Sequence, residues 1–315
     1  MFLNAFRGAS PWCQLIMTVF VALASFLLLF FLSVIAAIPV VGFDQMIATL
    51  SGVKRSYPSS ISILKYLQMV QSVGLFVLPP FIVGWLFEGN AQEYLRLTKK
   101  IKPATIIIAI LSILVFSPFI SYIGELNSKM SLPDFLGGIE NWMRHMEDNA
   151  DALIKRFMEV NSISGLLFNL LMIAVIPAAG EEFLFRGVFQ KIFTSMTRNY
   201  HLGIWISAFI FSAMHMQFYG FIPRMLLGAM FGYMLVYTGS LWAPVLCHFI
   251  NNALGVLSFY AEHNGQNQLG KLADFGEQFA DMWPVALASL ALTIWLLTLL
   301  KKNGNQTREG MNRPM

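Results

Sequence analysis

Charged residues are scarce in this chain. Asp, Glu, Lys and Arg together make up 12% of the 315 residues, whereas hydrophobic residues make up 57%. An average soluble domain has about 25% charged residues, so this composition excludes an ordinary soluble protein. Two cysteines, Cys13 and Cys247, are too few for a disulfide framework and lie in apolar stretches. We interpret both as small packing residues.

Charges are missing altogether from seven long stretches. A transmembrane helix needs about 20 apolar residues, and most of these stretches reach or exceed that length. The stretches are residues 12–38, 66–87, 103–124, 160–180, 199–223, 225–261 and 282–300. The sixth is interrupted by the turn signal Thr238-Gly239-Ser240, so we divide it in two. The sequence therefore predicts an all-α polytopic membrane protein with about eight transmembrane helices.

The positions of the basic residues predict the orientation in the membrane. The net charge is +4, and Lys and Arg are concentrated in segments on the same side as the two termini, whereas the opposite loops are acidic. This bias favours cytoplasmic termini. The first stretch is longer than the core of a cleavable signal peptide, about 7 to 15 residues, so we expect it to be retained. Because topology explains the basic balance, we predict no nucleic-acid partner.

The chain divides into four segments by composition. Residues 1–124 contain the first three predicted transmembrane helices, and residues 125–159 form a polar extracytoplasmic loop. Residues 160–260 contain every ionisable residue that we place at membrane depth. Residues 261–315 contain the last transmembrane helix and a polar cytoplasmic tail, which we expect to be disordered from residue 301. The chemistry is therefore predicted in residues 160–260.

The extracytoplasmic loop has helical periodicity. Between Phe135 and Phe157, apolar residues recur at steps of three and four, which indicates an amphipathic helix. We interpret it as a helix that lies on the outer membrane surface or packs over the bundle. The alternative is a role in gating access of a substrate.

Polar and ionisable residues at membrane depth are the main functional signal. On insertion scales each buried charge costs roughly 2.5 to 3.5 kcal/mol, so such residues usually face the bundle interior and have a partner. The residues are Glu181, Glu182, Arg186, His215, Arg224, His248 and Asn252. We therefore expect a polar site between the helices.

Helical spacing separates the two glutamates. Glu182 and Arg186 are four residues apart, share a face and are predicted to pair. Glu181 points about 100° away from Glu182, so it is available for other chemistry. His248 and Asn252 are also four residues apart and face the same spot.

The histidines and Glu181 are predicted to meet. Counted at 1.5 Å per residue from the predicted helix ends, Glu181, His215 and His248 lie roughly 10 to 18 Å from the cytoplasmic surface. Such a cluster suits peptide hydrolysis: a carboxylate and an imidazole can take a proton from water, while a second imidazole and an amide stabilise the oxyanion. We expect Gly180 and Gly187 to let the helix bend and a substrate backbone approach.

Three short motifs resemble those of a known family. They are EEFLFR from Glu181 to Arg186, FSAMH from Phe211 to His215, and HFINN from His248 to Asn252. Their residues and order are similar to those of the CAAX prenyl protease and bacteriocin-processing (Abi) family of intramembrane endopeptidases. The resemblance covers about residues 160–260.

The resemblance implies a role for each motif. Glu181 would activate water together with His215, while His248 and Asn252 would stabilise the oxyanion. The substrate would be a membrane-anchored peptide or protein in the lipid bilayer. The implied location is a cell membrane, the inner membrane of a bacterium, with both termini in the cytoplasm.

The resemblance leaves the cofactor open. Glu182 and Arg186 would support the site. We favour a reaction that requires no metal. Members of the family have been described both as glutamate proteases and as metalloproteases, however, and Glu181, His215 and His248 could also provide three ligands to zinc.

Two other functions fit part of the pattern. A proton- or ion-coupled transporter also places acidic and histidine residues in a helix bundle, although we find no internal repeat of the kind that many transporters contain. A catalytically inactive immunity or scaffold protein would share the fold without the activity.

Overall fold

The structure is a computed structural model that describes residues 6–51, 58–266, 270 and 275–311. All regular elements in these ranges are helical, which confirms the all-α fold class. In chain order the helices are α1 (Pro11–Val41), α2 (Phe43–Leu50), α3 (Pro58–Ser72), α4 (Leu78–Glu88), α5 (Ala91–Tyr94), α6 (Pro103–Ser128), α7 (Gly137–Met158), α8 (Ile163–Asn169), α9 (Ile176–Glu181), α10 (Gln190–Thr197), α11 (Tyr200–Ala213), α12 (Phe221–Thr238), α13 (Trp242–His263) and α14 (Trp283–Met311).

Three pairs of consecutive α-helices are joined by wider π-helical turns. The turn Val73–Val77 connects α3 to α4, and the turns Leu170–Val175 and Glu182–Phe189 join α8, α9 and α10 into one helix of 35 residues. We call this long element the α8–α10 helix. Its second π turn contains most of the EEFLFR motif, and π turns are frequent at functional sites.

Seven helices in the described ranges are long and apolar enough to cross a membrane, which confirms the polytopic architecture. The predicted division between α12 and α13 is also correct. Gly239 ends α12 with a φ of 72°, a left-handed conformation that glycine adopts without a steric penalty. Its backbone N–H donates to the carbonyl oxygen of Leu235.

The remaining predicted span, residues 199–223, is shorter than expected. Helix α11 covers only Tyr200–Ala213 there, and these 14 residues fall below the length of about 20 that a full span needs. The chain then leaves the helix, and Met216 has a left-handed φ of 54°. A count of charged residues missed this loop because its polar members, such as Gln217, are uncharged.

Lipid-facing and packed surfaces are clearly separated. Large apolar side chains on α1 and α14, including Phe20, Phe31 and Trp295, are more than half exposed, which fits contact with lipid. Cys247 is fully buried in a core cluster formed by α6, α12, α13 and α14, as its predicted packing role requires. Cys13 is exposed, so the same prediction was wrong for that residue.

The amphipathic helix predicted in the loop is α7. It follows α6 and precedes the α8–α10 helix, so it lies at the end of the bundle opposite the start of α1 and the end of α14. Phe157 on its apolar face is buried, and the ring of Trp142 packs 5.3 Å from that of Phe218. Helix α7 therefore packs over the bundle.

The C-terminal tail differs from its predicted disorder. Helix α14 continues beyond the apolar stretch as far as Met311, and residues 312–315 lie outside the described residues.

The glycines of the α8–α10 helix face other parts of the protein. A Cβ atom at Gly180 would lie 2.8 Å from Cβ of Phe76, and one at Gly187 would lie 2.6 Å from Cδ2 of Leu95. The prediction that these glycines admit a substrate backbone was therefore wrong. They allow neighbouring helices to approach closely, as small residues often do in membrane bundles.

We predict that Gly180→Ala lowers the apparent melting temperature of the purified protein in detergent. The added methyl group overlaps Phe76, and overpacking typically costs about 1 to 3 kcal/mol. Gly255→Ala is the matched control, because its Cβ meets nothing within 4 Å and it lies inside α13, where the change gives a similar gain in helix propensity. Equal melting temperatures of the two variants would contradict this packing role.

Candidate active site

A cavity of about 660 Å³ lies between α7, the α8–α10 helix, α12 and α13. It brings together the four residues predicted to be catalytic: Glu181, His215, His248 and Asn252. Three sequence motifs that are separated by about 30 residues along the chain therefore meet at one place.

The predicted supporting residues lie behind this cavity. Glu182 and Arg186 are almost completely buried, and Nη1 of Arg186 lies 2.8 Å from Oε1 of Glu182. The ion pair expected from their spacing is thus present. Nη2 of Arg186 donates to the carbonyl oxygen of Gly228 at 3.0 Å, and the guanidinium lies 4.5 Å from the ring centre of Phe211. These contacts hold the cation in a fixed position.

His248 makes a contact that helical spacing within one segment did not reveal. Its Nδ1 lies 2.8 Å from Oε1 of Glu182, the same oxygen that binds Arg186. A carboxylate accepts hydrogen bonds, so Nδ1 carries the hydrogen. The opposite nitrogen, Nε2, lies 3.8 Å from Oε2 of Glu181, and the ring stacks on Phe231 with centres 5.1 Å apart. Glu182 therefore fixes the orientation of His248 toward Glu181.

His215 is oriented by a backbone carbonyl of the preceding helical turn. It lies just beyond the end of α11, and its Nδ1 is 2.8 Å from the carbonyl oxygen of Phe211. A carbonyl oxygen can only accept, so Nδ1 is the donor and Nε2 of the neutral ring is an acceptor. His215 and Glu181 both line the cavity, and within the described residues they form no direct ion pair.

The amide of Asn252 has one fixed partner. Its Nδ2 donates to the carbonyl oxygen of Ile173 at 3.3 Å, and a second amide hydrogen remains for another acceptor. Asn251 also lines the cavity and donates to Oδ1 of Asn252. Sequence reasoning missed Asn251, although the HFINN motif contains it next to Asn252.

Other lining residues were missed for lack of a strong signal. Gln68 on α3 and Gln217 are uncharged, so a search for charges at membrane depth could not find them. Arg224 was noted as a charge at membrane depth but had no predicted role. The structure places Arg224 in the cavity wall, where Nη2 donates to Oε1 of Gln217 at 2.8 Å.

The cavity extends along the bundle as far as α7. Residues of α7, among them Leu153 and Phe157, line the cavity, so it extends to the end of the bundle opposite the termini. Glu181 lies midway along the α8–α10 helix, and His215 lies past the far end of α11. Glu181, His215 and His248 meet in one cavity, as the count of helical depth predicted, and their distance from the cytoplasmic surface stays a prediction.

The residues do not form a preassembled metal site. In the part of the chain that the structure describes, no three His, Cys, Asp or Glu side chains converge closely enough to hold a metal ion. Glu181 and His248 approach one another, but His215 does not complete a set of three ligands. The donor set as placed therefore does not fit zinc.

Comparisons with known proteins agree with the motifs. A model of the Rce1-like family, described as type II CAAX prenyl endopeptidase, matches residues 163–254. The chain is also 31% identical over 123 residues to a Bacillus subtilis (strain 168) protein named uncharacterized protein YpbD. That similarity covers 38% of this chain and 58% of the relative. No solved structure matches the chain with significance. The family resemblance predicted from three motifs is confirmed in the segment that contains them.

We predict that Glu182→Gln strongly destabilises the protein. The change leaves the buried guanidinium of Arg186 without its counterion, and breaking a buried pair typically costs about 3 to 5 kcal/mol. The measurement is thermal unfolding in detergent. Glu125→Gln is the control, because it breaks a solvent-exposed pair with Lys129 that contributes little to stability. If both variants melted at the same temperature, the buried pair would not be important for stability.

Proposed function

From the Rce1-like segment and the cavity that it forms, we propose that this protein is an intramembrane endopeptidase. It hydrolyses a peptide bond of a membrane-associated or lipid-anchored protein or peptide. One observation carries this proposal: Glu181, His215, His248 and Asn252 line a single cavity. The neighbouring charges, Glu182 and Arg186, form a buried ion pair outside the cavity lining. A carboxylate, two imidazoles and an amide are a sufficient set for acid–base hydrolysis.

The first step is attack by water on the substrate carbonyl carbon. In this proposal the water lies between Glu181 and His215, whose Nε2 accepts one hydrogen bond from it. Glu181 takes a proton as the new C–O bond forms, and the electron pair of the carbonyl bond moves to its oxygen. Because His215 is held by the carbonyl of Phe211, its acceptor nitrogen is preoriented for this water.

The second requirement is stabilisation of the oxyanion. Asn252 offers its remaining amide hydrogen. His248 donates from Nε2 when it carries a proton on each nitrogen, with Nδ1–H held by Glu182. Preoriented donors of this kind typically lower a barrier by a few kcal/mol each. The proton held by Glu181 then passes to the leaving amine, the C–N bond breaks, and a carboxyl group and an amine are released.

The two glutamates therefore have different proposed roles. Glu181 exchanges protons with water and the leaving group. Glu182 positions His248 and compensates the charge of Arg186, and it does not touch the substrate. Residues 160–260 would form the catalytic unit, with residues 1–124 and 261–315 as the membrane scaffold and residues 125–159 as its extracytoplasmic loop.

The distribution of Lys and Arg supports an orientation with both termini in the cytoplasm, and the proposed location is the inner membrane of a bacterium. In that orientation α7 and the adjoining mouth of the cavity face the extracytoplasmic side. The proposed partners are a membrane-anchored substrate and the surrounding lipid, with no nucleic acid.

We expect purified protein to cleave a membrane-tethered peptide, and Glu181→Gln and His248→Ala each to reduce kcat by at least about 100-fold. Loss of the base, or of an oxyanion donor, typically has an effect of this size. Cleavage is measured by mass spectrometry of the products, and melting temperature shows whether each variant is folded. Asp148→Asn is a control that changes a carboxylate on α7 outside the cavity lining. Undiminished cleavage by both site variants would refute the assignment, and a transporter or inactive scaffold would show no cleavage at all.

We expect cleavage to persist after treatment with a chelator. As placed, Glu181, His215 and His248 do not form a set of three metal ligands, and the proposed steps need none. The measurement compares the cleavage rate before chelation, after it, and after zinc is restored. A loss of activity that zinc reverses would show that the site rearranges to bind a metal.

A further inference from the structure

Arg224 is a cation in the cavity wall that the proposed reaction does not use. It lies near the start of α12, it is half-buried, and it lines the same cavity as Glu181. A guanidinium has five N–H donors, so it has a large capacity for hydrogen bonds. Both of its protein hydrogen bonds go to neutral oxygens of Gln217, from Nη2 to the side chain at 2.8 Å and from Nη1 to the backbone at 3.5 Å.

This cation lacks a carboxylate partner. In the ranges that the structure describes, no Asp or Glu oxygen lies within 4.0 Å of Arg224. Arg186 and Arg144, by contrast, each form an ion pair at 2.8 Å or less. Charges inside membrane bundles are normally paired, because an isolated charge at low polarity is costly. Arg224 therefore has free capacity for an anion that enters the cavity.

The nearest carboxylates of α7 are engaged elsewhere. Oδ1 of Asp151 accepts from the side-chain amide of Gln217 at 2.9 Å, so Gln217 lies between Asp151 and Arg224. Oε2 of Glu147 accepts from the backbone N–H of Tyr219 at 2.8 Å. Neither carboxylate neutralises Arg224 directly.

The surroundings of Arg224 leave room for a ligand. Gly220, one helical turn earlier, also lines the cavity, and a Cβ atom there would lie only 3.2 Å from Nη2 of Arg224. The lining of the cavity also includes the apolar side chains of Leu153, Ile154 and Leu227. An ion pair formed against such a wall is screened less than one in water and is correspondingly stronger.

We propose that Arg224 binds a carboxylate of the substrate and thereby selects acidic or carboxyl-terminal peptide segments. This inference rests on the proposed function, because it assigns a substrate to the same cavity. The carboxylate takes the place of the Gln217 side-chain oxygen and accepts two parallel hydrogen bonds from the guanidinium. It comes either from the C-terminus of the peptide or from an Asp or Glu side chain, and the two sources present the same chemistry.

The experiment uses the full-length protein and matched pairs of membrane-tethered peptides. One pair differs only in a C-terminal carboxylate or carboxamide. The other pair has a carboxamide terminus and differs only in an internal Asp or Asn. In wild-type protein we expect one carboxylate peptide to have the higher kcat/KM of its pair. Which pair shows the preference identifies the source of the carboxylate.

Substitution of Arg224 tests the residue itself. The test quantity is the kcat/KM for the carboxylate peptide divided by the kcat/KM for its neutral partner. Arg224→Gln should lower this ratio by about 10- to 100-fold, which is the size expected for charged hydrogen bonds. Arg224→Lys should retain part of the preference, because it keeps the charge without the planar fork. Arg144→Gln, which removes an exposed arginine of α7 outside the cavity lining, should leave the ratio unchanged.

Each alternative role of Arg224 gives a different result. If Arg224 only adjusts the charge of Glu181 or braces the loop, Arg224→Gln lowers kcat/KM equally for both peptides of a pair, and the ratio stays constant. A constant ratio, or a wild-type enzyme with no carboxylate preference, would overturn the inference.

A binding measurement separates this inference from the proposed function. Glu181→Gln keeps the cavity but lacks the base, so the affinities of its complexes with the same peptides can be measured by fluorescence anisotropy. Suppose that Glu181→Gln binds the carboxylate peptide more tightly than the neutral one and that the double variant Glu181→Gln/Arg224→Gln does not. This result supports recognition of the carboxylate by Arg224 even if wild-type protein cleaves neither peptide. Equal affinities in both variants contradict it even if cleavage is observed.

Discussion

The carboxylate of Glu182 is the contact on which the rest of the site depends. One of its oxygens binds both Arg186 on the same helix and His248 on α13, each at 2.8 Å. Arg186 extends the network to the carbonyl oxygen of Gly228 on α12 and to the ring of Phe211 on α11. A single buried anion thus joins four helical elements. Because each partner is desolvated, the network is stable only when all of its members are present.

Glycine makes this buried network sterically possible. A Cβ atom at Gly228 would lie 3.1 Å from Nη2 of Arg186, a tighter contact than nine in ten real Cβ contacts. At Gly180 and Gly187, the missing side chains let the α8–α10 helix pack against Phe76 and Leu95. Close helix packing in a membrane relies on such small residues, since burial of apolar surface gives little driving force between helices in lipid. The absence of glycine side chains therefore affects both the packing of the helices and the position of the buried charges.

The sequence predicted those features that depend on local geometry. Apolar runs predict spans because their length must match the bilayer, and a spacing of four predicts the pair of Glu182 and Arg186 because both lie on one helical face. The contact of His248 with Glu182 was not predictable in this way, since it depends on how α13 packs against another helix. The early end of α11 was missed for a similar reason, because an uncharged polar loop resembles a span when only charges are counted.

Helix α7, which covers one end of the cavity, is connected to the loop that contains His215. Helix α7 is bonded to the loop between α11 and α12 at two points, Glu147 to the backbone of Tyr219 and Asp151 to Gln217. The same loop contains His215, so any displacement of α7 must break these bonds or move the loop with it. Gln217 is also the partner of Arg224. Because Gln217 binds both Asp151 on α7 and Arg224, a substrate carboxylate bound to Arg224 as proposed would displace a side chain that also holds α7 in place.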